Sequence, residues 1–262
     1  MLFRKRIMSN NIIILDETNN FLYNLVASIE KGMKIRTILI KFTTDIRQSE
    51  IPAFRGAINS VLEENHSILF HNHTDDGLRY SYPLIQYKRI GGKAAIVCVG
   101  EGTEAIGEFF NKSDVNIQIG DRTEQMEFDR IEAKQTLVQV WNEEFHYNIR
   151  KWLPLSSENY RSYRSLEGIS EQVQFLQNIL VGNILSFCKG LNLTVDKEIK
   201  CVITKILDTN TYTHKEVKMM GFDVEFKSNI SLPDYIGLGK GVSLGFGMVT
   251  RKYNNKNNNK NE

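Results

Sequence analysis

The stretch GLGKGVSLGFG, Gly237–Gly247, carries five glycines within eleven residues, together with one cation, Lys240. Glycine lets backbone amides approach a phosphate closely and adopts positive φ without a steric cost. The spacing is not the GxxxxGK[ST] of a nucleotide P-loop. It is not a dinucleotide fingerprint either, because no helix follows it within a βαβ unit. The stretch therefore predicts a loop that grips phosphate, and the alternative is a glycine-rich turn before an edge strand.

The residues that lead into this loop predict a second domain with one long helix. Ser170 is a suitable N-cap and Gly190 a suitable stop, and the apolar residues between them recur on one helical face. These residues are Val173, Leu176, Leu180, Ile184 and Phe187. Strands are predicted at 133–141, 199–206 and 217–228, with a last strand after the glycines. The loop stands where the second helix of a βαββαβ unit belongs, so residues 123–253 predict a degenerate ferredoxin-like domain.

The first half of the chain predicts the same order of elements more completely. Its strands are predicted at 35–43, 79–89, 93–99 and 115–119, and its helices at 52–64 and 101–110. Pro83 favours an edge position for the strand that contains it. The order β-α-β-β-α-β predicts a ferredoxin-like domain over residues 33–122. Residues 1–32 would precede it as an N-terminal extension, and the low-complexity tail 254–262 would be disordered. The fold class is thus α+β, with two tandem ferredoxin-like (RRM-like) domains.

Composition says more about the class and location of the protein than about its function. A chain of 262 residues with 41% hydrophobic and 24% charged residues suits two soluble domains. Its apolar runs are shorter than the ~18 residues that a membrane span needs, so we expect no membrane partner. Three widely spaced cysteines, Cys98, Cys188 and Cys201, favour a reducing, cytoplasmic location. The net charge of +2 hides two basic segments without acids, at 79–93 and 237–252.

A second constellation, ILFHNHTDDG (68–77), places two histidines one residue apart. His71, His73 and Asp75 suggest metal ligands, but the remaining histidines that a metal site would need stand far away in the second half. Histidines can also exchange protons near neutral pH without a metal, and Tyr80 could orient a phosphate or a ribose hydroxyl. A polar surface loop is the third interpretation.

The strand RYSYPLIQYKR (79–89) interleaves aromatic and basic side chains. Alternation places Tyr80, Tyr82 and Lys88 on one face, with Tyr87 and Arg89 on the other. Stacking and positive charge together suit single-stranded RNA. The alternative is a half-buried strand whose tyrosines fill the core.

Together these motifs resemble one superfamily. Two ferredoxin-like units and a terminal loop of the pattern G-h-G, five residues, G-h-G resemble the repeat-associated mysterious protein (RAMP) superfamily of CRISPR systems. Gly237-Leu238-Gly239 and Gly245-Phe246-Gly247 match that pattern. FRGAI (54–58), HNH (71–73) and YPLIQYK (82–88) further resemble the CRISPR-associated endoribonuclease of the sixth Cas family, in its subtype I-B-like branch. The likeness covers about residues 35–252.

This resemblance implies metal-independent cleavage of precursor CRISPR RNA within its repeats, without a cofactor. His71, His73 and Tyr80 would form the catalytic site, with one histidine as the base on the ribose 2′-hydroxyl and the other acting on the leaving oxygen or the phosphorane. The RNA-binding residues would be Arg55, Lys88, Arg89, Gly237, Gly239, Lys240, Gly245 and Gly247. Repeat RNA is the expected partner, and other Cas proteins of an effector complex and a second copy of the chain are further candidates. Two alternatives stay open: a RAMP subunit that binds RNA without cutting it, and a metal-dependent hydrolase that uses His71, His73 and Asp75.

Overall fold

A computed structural model describes residues 33–61, 73–74, 77–78, 82–107 and 116–253. Within these ranges, the first domain contains eight strands and two helices. The strands are β1 (Met33–Asp45), β2 (His73–Thr74), β3 (Gly77–Leu78), β4 (Ile85–Ile90), β5 (Lys93–Val99), β6 (Asn116–Ile119), β7 (Arg122–Gln125) and β8 (Phe128–Val138). The helices are α1 (Ile51–Val61) and the short α2 (Gly102–Ala105).

The main sheet of this domain has the antiparallel order β4-β5-β1-β8. Helix α1 covers one face because its apolar residues recur with helical spacing and pack on aromatic side chains from the sheet. The Phe54 ring meets the rings of Phe42 and Tyr87 edge to face, with centroids 6.1 and 5.6 Å apart. Strand β4 lies at the sheet edge, as Pro83 predicts.

The fourth strand of the sheet is not the predicted one. Strand β6 forms a separate hairpin with β7, and β8 takes the place beside β1. The predicted strand 133–141 is split at Gln139 between β8 and the first strand of the second domain. Residues 128–132 of β8 lie outside that prediction, because most of their side chains are exposed and give no alternating pattern. The expected boundary at 122/123 falls ahead of this strand.

The second domain contains four strands and two helices. They are β9 (Val140–Trp152), α3 (Ser157–Ser165), α4 (Ile169–Gly190), β10 (Cys201–His214), β11 (Val217–Ile230) and β12 (Met248–Lys252). The sheet order β10-β11-β9-β12 repeats that of the first domain, with the second, third, first and fourth strands side by side. The fold is therefore α+β with two tandem ferredoxin-like domains, as predicted.

Helix α4 buries the predicted face, in which Leu176, Leu180, Ile184 and Phe187 are fully buried. It begins earlier than predicted, because Gly168 is the N-cap and Ser170 lies in the first turn. No second helix follows β11, and the glycine stretch occupies its place around a 3₁₀ turn at Val242–Leu244. Within the described ranges, no helix is long and apolar enough to cross a membrane.

One apolar core joins the two domains. It includes Ile35 and Val97 of the first sheet, Tyr147 and Trp152 of β9, and the buried face of α4. Tyr147 is fully buried, and its hydroxyl donates to the Ile230 carbonyl at 3.0 Å and accepts from the Leu232 amide at 2.9 Å. This hydroxyl ties the end of β11 to the centre of the sheet.

Replacing Tyr147 by Phe tests this tie. The substitution keeps the ring but leaves a buried amide and a buried carbonyl without their partner, so we expect the free energy of unfolding to fall by about 1–3 kcal/mol. Urea unfolding followed by circular dichroism measures it. Tyr160→Phe on the exposed face of α3 is the matched control and should change little. Equal stabilities of the two variants would contradict the assignment.

Candidate nucleic-acid interface

The two G-h-G segments of the glycine loop lie against each other. The Leu238 amide donates to the Gly247 carbonyl at 2.9 Å, and the side chains of Leu238 and Phe246 are buried beneath the loop. Gly247 has φ of 64°, and a Cβ at this position would collide with the Leu238 carbonyl oxygen. The repeated pattern is therefore required because two backbone segments come too close for side chains between them.

The five residues between the segments form a tight turn. Gly241 and Gly245 adopt φ of 70° and 82° and flank the 3₁₀ turn at Val242–Leu244. A Cβ at Gly245 would lie 3.0 Å from Ile51 and 3.2 Å from the Tyr87 carbonyl. The turn therefore fits closely against the first domain, at the free edge of β4.

Three polar side chains of the first domain hold the loop. The Gln86 carbonyl oxygen accepts from the Gly237 amide at 3.0 Å, and the Gln86 amide donates to the Tyr82 hydroxyl at 2.8 Å. That hydroxyl donates to the Gly237 carbonyl at 2.9 Å, and burial raises the pKa of Tyr82 well above its ordinary value. Gln48 donates to the Leu244 carbonyl at 3.3 Å. Side chains of the first domain thus hydrogen-bond to the backbone of a loop that belongs to the second domain.

Most loop amides are already used within the protein. Gly237, Gly245 and Gly247, three of the four glycines predicted to bind RNA, donate their amides to Gln86, Val242 and Lys151. Across the described part of the chain, four loop amides have no protein acceptor. These belong to Gly239, Gly241, Val242 and Ser243. The amides that remain free to bind a phosphate therefore lie on one side of the turn.

Cations surround this turn. Lys240 is exposed within the loop, Arg89 is exposed on β4, and Arg55 of α1 donates to the Ser243 hydroxyl at 3.5 Å. The structure therefore brings these three predicted RNA-binding residues to the loop or its neighbouring strand and helix. Lys151 also lies here, since its carbonyl accepts from the Gly247 amide at 3.0 Å. Sequence reasoning missed it.

The side chain of Lys88 is not on the RNA-accessible face that the strand pattern predicts. It is fully buried, its amine has no hydrogen-bond partner, and burial lowers its pKa to about 7. Tyr87, on the opposite face, is also buried and donates to the Asn59 side chain at 2.7 Å. The half-buried alternative therefore holds for this strand, and an RNA phosphate does not reach the Lys88 amine in this conformation.

His214, at the end of β10, packs on the loop and was also missed. Its ring meets Phe246 edge to face at 5.8 Å, and its buried Nδ1 has no partner. Burial, followed by the cations of Lys215 and Lys240, lowers the pKa of His214. Nothing in the sequence signals this contact, because the whole of β11 separates His214 from the glycines along the chain.

The predicted catalytic loop is described only in part. The backbone of His73–Thr74 pairs with Gly77–Leu78 in a two-residue hairpin. His71, Asp75 and Tyr80 lie outside the described residues. Their assembly into a catalytic or metal site stays a prediction. Among the residues that are described, no group of three or more His, Cys, Asp or Glu side chains could hold a metal ion.

Comparisons with known proteins follow the same two-domain division. The family model of the Cas6b N-terminal domain matches residues 33–137, and that of the Cas6b C-terminal domain matches residues 139–252. Their division falls at the junction between β8 and β9. A protein of Methanocaldococcus jannaschii, known as uncharacterized protein MJ0978, is 39% identical over 103 residues. The match covers 39% of this chain and 69% of that protein.

Solved structures share the fold. A crystal structure of Cas6b matches with a TM-score of 0.77 at 24% identity, over 84% of this chain and all of that one. A crystal structure of the CRISPR RNA processing endoribonuclease Cas6b matches with a TM-score of 0.64 at 23% identity, over the same shares. Both likenesses extend across the two domains.

The close approach at Gly247 gives a direct prediction. Gly247→Ala forces a Cβ against the Leu238 carbonyl at positive φ, so we expect the free energy of unfolding to fall by more than ~1 kcal/mol. Gly182→Ala on the exposed side of α4, where a Cβ meets nothing within 4 Å, should leave stability unchanged or raise it. Thermal unfolding of both variants measures this. A Gly247→Ala protein as stable as the Gly182→Ala protein would contradict the described contact.

The buried lysine predicts a pH dependence. The folded state holds Lys88 with a pKa of about 7, against an ordinary value of 10.5, so between these values the unfolded chain binds more protons. Lys88 therefore lowers stability most below pH 7, and that penalty fades as the pH rises. We expect Lys88→Met to be more stable than wild type near pH 6, with the difference shrinking toward pH 9.

Denaturant unfolding of the two proteins across this pH range measures the difference. A constant difference between pH 6 and pH 9 would show that the amine is not held uncharged in the folded state.

Proposed function

Because the chain belongs to the Cas6b family, we propose that it is a CRISPR RNA processing endoribonuclease, which binds repeat RNA and cuts precursor CRISPR RNA within the repeat. The observation that carries this proposal is the glycine loop at the domain junction. It combines unbonded backbone amides with the neighbouring cations Arg55, Arg89 and Lys240. Amides and cations together suit the phosphates of RNA.

Binding and cutting fall to different parts of the chain. The loop offers hydrogen-bond donors and positive charge, but His214, the histidine that packs on it among the described residues, has a buried Nδ1 and a pKa lowered by burial. Cleavage therefore rests on His71, His73 and Tyr80, which precede β4. These residues have the H-x-H and tyrosine spacing of the resembling endoribonucleases.

The proposed reaction needs two proton transfers and no other group. One histidine takes the proton of the ribose 2′-hydroxyl, and the 2′-oxygen attacks the adjacent phosphorus. The bond from phosphorus to the 5′-oxygen breaks, and the second histidine donates a proton to that oxygen. The products are a 2′,3′-cyclic phosphate and a 5′-hydroxyl. Tyr80 would orient the phosphate or the ribose.

A cleavage assay on the cognate repeat RNA tests the proposal. Purified protein in excess EDTA should cut the RNA as fast as without EDTA, because histidines alone move the protons. RNA with a 2′-deoxyribose at the nucleotide before the cut should stay intact, because the attacking oxygen is missing. Cleavage lost in EDTA and restored by zinc or manganese would favour the metal-dependent alternative.

Substitution separates cutting from binding. His71→Ala combined with His73→Ala should abolish product formation while the affinity for the RNA is kept. His146→Ala on β9 is the matched histidine control and should cut normally. Undiminished cleavage by the double variant would contradict the proposed site. Binding without product by the wild-type protein would favour the non-catalytic RAMP subunit.

A further inference from the structure

Strand β9 contains an irregularity beside the glycine loop. Ile149 pairs with Val224 of β11, and Trp152 pairs with Phe222. Between these two pairs β9 advances by three residues and β11 by two. The extra residue makes a β-bulge, a feature that redirects a side chain and often lies next to a functional site. Lys151 sits in this bulge with φ of 50°.

A lysine is unusual in this conformation. The left-handed region suits glycine, and other side chains enter it at an energetic cost. Here the backbone is held on both sides, because the Lys151 amide donates to Asp223 Oδ1 at 2.6 Å and its carbonyl accepts from the Gly247 amide at 3.0 Å. The bulge thus anchors the glycine loop. Its left-handed position carries a lysine, although glycine would be less strained there.

The redirected side chain turns toward the loop. Lys151 Nζ donates to Gln48 Oε1 at 2.6 Å, and the other end of the same amide donates to the Leu244 carbonyl at 3.3 Å. One glutamine amide therefore separates the lysine amine from the 3₁₀ turn. The side chain of Lys151 is only partly buried, so a ligand on the turn can reach it.

The positive charge at this point is not neutralised. The pKa of Lys151 is lowered by burial and by the nearby cation of Arg89, and only Asp223 acts in the opposite direction. The Asp223 carboxylate is already used by Arg150 at 2.8 Å and by the Lys151 amide. In the described part of the molecule neither Lys151 nor Arg89 forms an ion pair. Two neighbouring cations without an ion pair of their own favour an anion as a further ligand.

We propose that Lys151, together with Arg89, contacts a backbone phosphate of the RNA that lies on the glycine loop, and that Gln48 holds the lysine amine in place until RNA binds. This inference rests on the proposed function, since it names a further binding residue for the same RNA. The strained bulge persists because it directs the amine at the turn.

The substitution Lys151→Gly separates charge from structure. Glycine adopts the bulge conformation without strain, so the melting temperature should stay the same or rise. Loss of one phosphate contact should weaken RNA binding severalfold and reduce the slope of log K against log salt by about 0.7. Lys151→Arg keeps the cation and should retain most of the slope.

Binding is measured by fluorescence anisotropy with labelled repeat RNA, between about 0.05 and 0.3 M salt. All proteins carry His71→Ala and His73→Ala, so that cleavage does not interfere. Lys34→Gln, an exposed side chain at the start of β1, is the matched lysine control and should behave like the parent. If Lys151→Gly binds with the slope and affinity of the parent, Lys151 makes no phosphate contact and the inference fails. If the parent itself does not bind repeat RNA, the proposed function fails, and this inference fails with it.

Discussion

The hydrogen bond from the Gly247 amide to the Lys151 carbonyl, 3.0 Å long, fixes the glycine loop to the central region of the second domain. It requires Gly247 at positive φ with no side chain, because Leu238 lies directly against it. From this anchor the two G-h-G segments pair, and the turn between them reaches Ile51 and Tyr87 of the first domain. The loop therefore serves first as the joint between two ferredoxin-like units.

The same packing determines what the loop can bind. Amides used to fold the loop cannot bind a phosphate, so binding capacity remains only in Gly239 and in the first part of the turn. The cations around that turn come from both domains, because Arg55 reaches Ser243 and Arg89 lies near Lys151. An RNA held there would contact both domains at once. Structural role and binding role are thus divided among neighbouring residues of one loop.

The sequence predicts the parts of this fold whose residues alternate or repeat. Leu176, Leu180 and Ile184 mark α4, and the glycine spacing marks the loop, since each pattern follows from a packing constraint. The first part of β8 is not predicted, because its side chains are largely exposed. The burial of Lys88 is not predicted either, because the loop that covers the edge of its strand is distant in sequence. The bulge at Lys151 has no signature, because the residue that would mark it, glycine, is absent.

The central claim is that the turn of the glycine loop holds RNA through its unbonded amides. Amide NMR spectra of the His71→Ala, His73→Ala protein, with and without repeat RNA, test it most directly. The account predicts that the amides of Gly241, Val242 and Ser243 exchange quickly in the free protein, and that they shift and become protected when RNA binds. The Leu238 and Gly247 amides should be protected in both states. RNA binding that leaves the three turn amides unshifted and exchanging quickly would contradict the account.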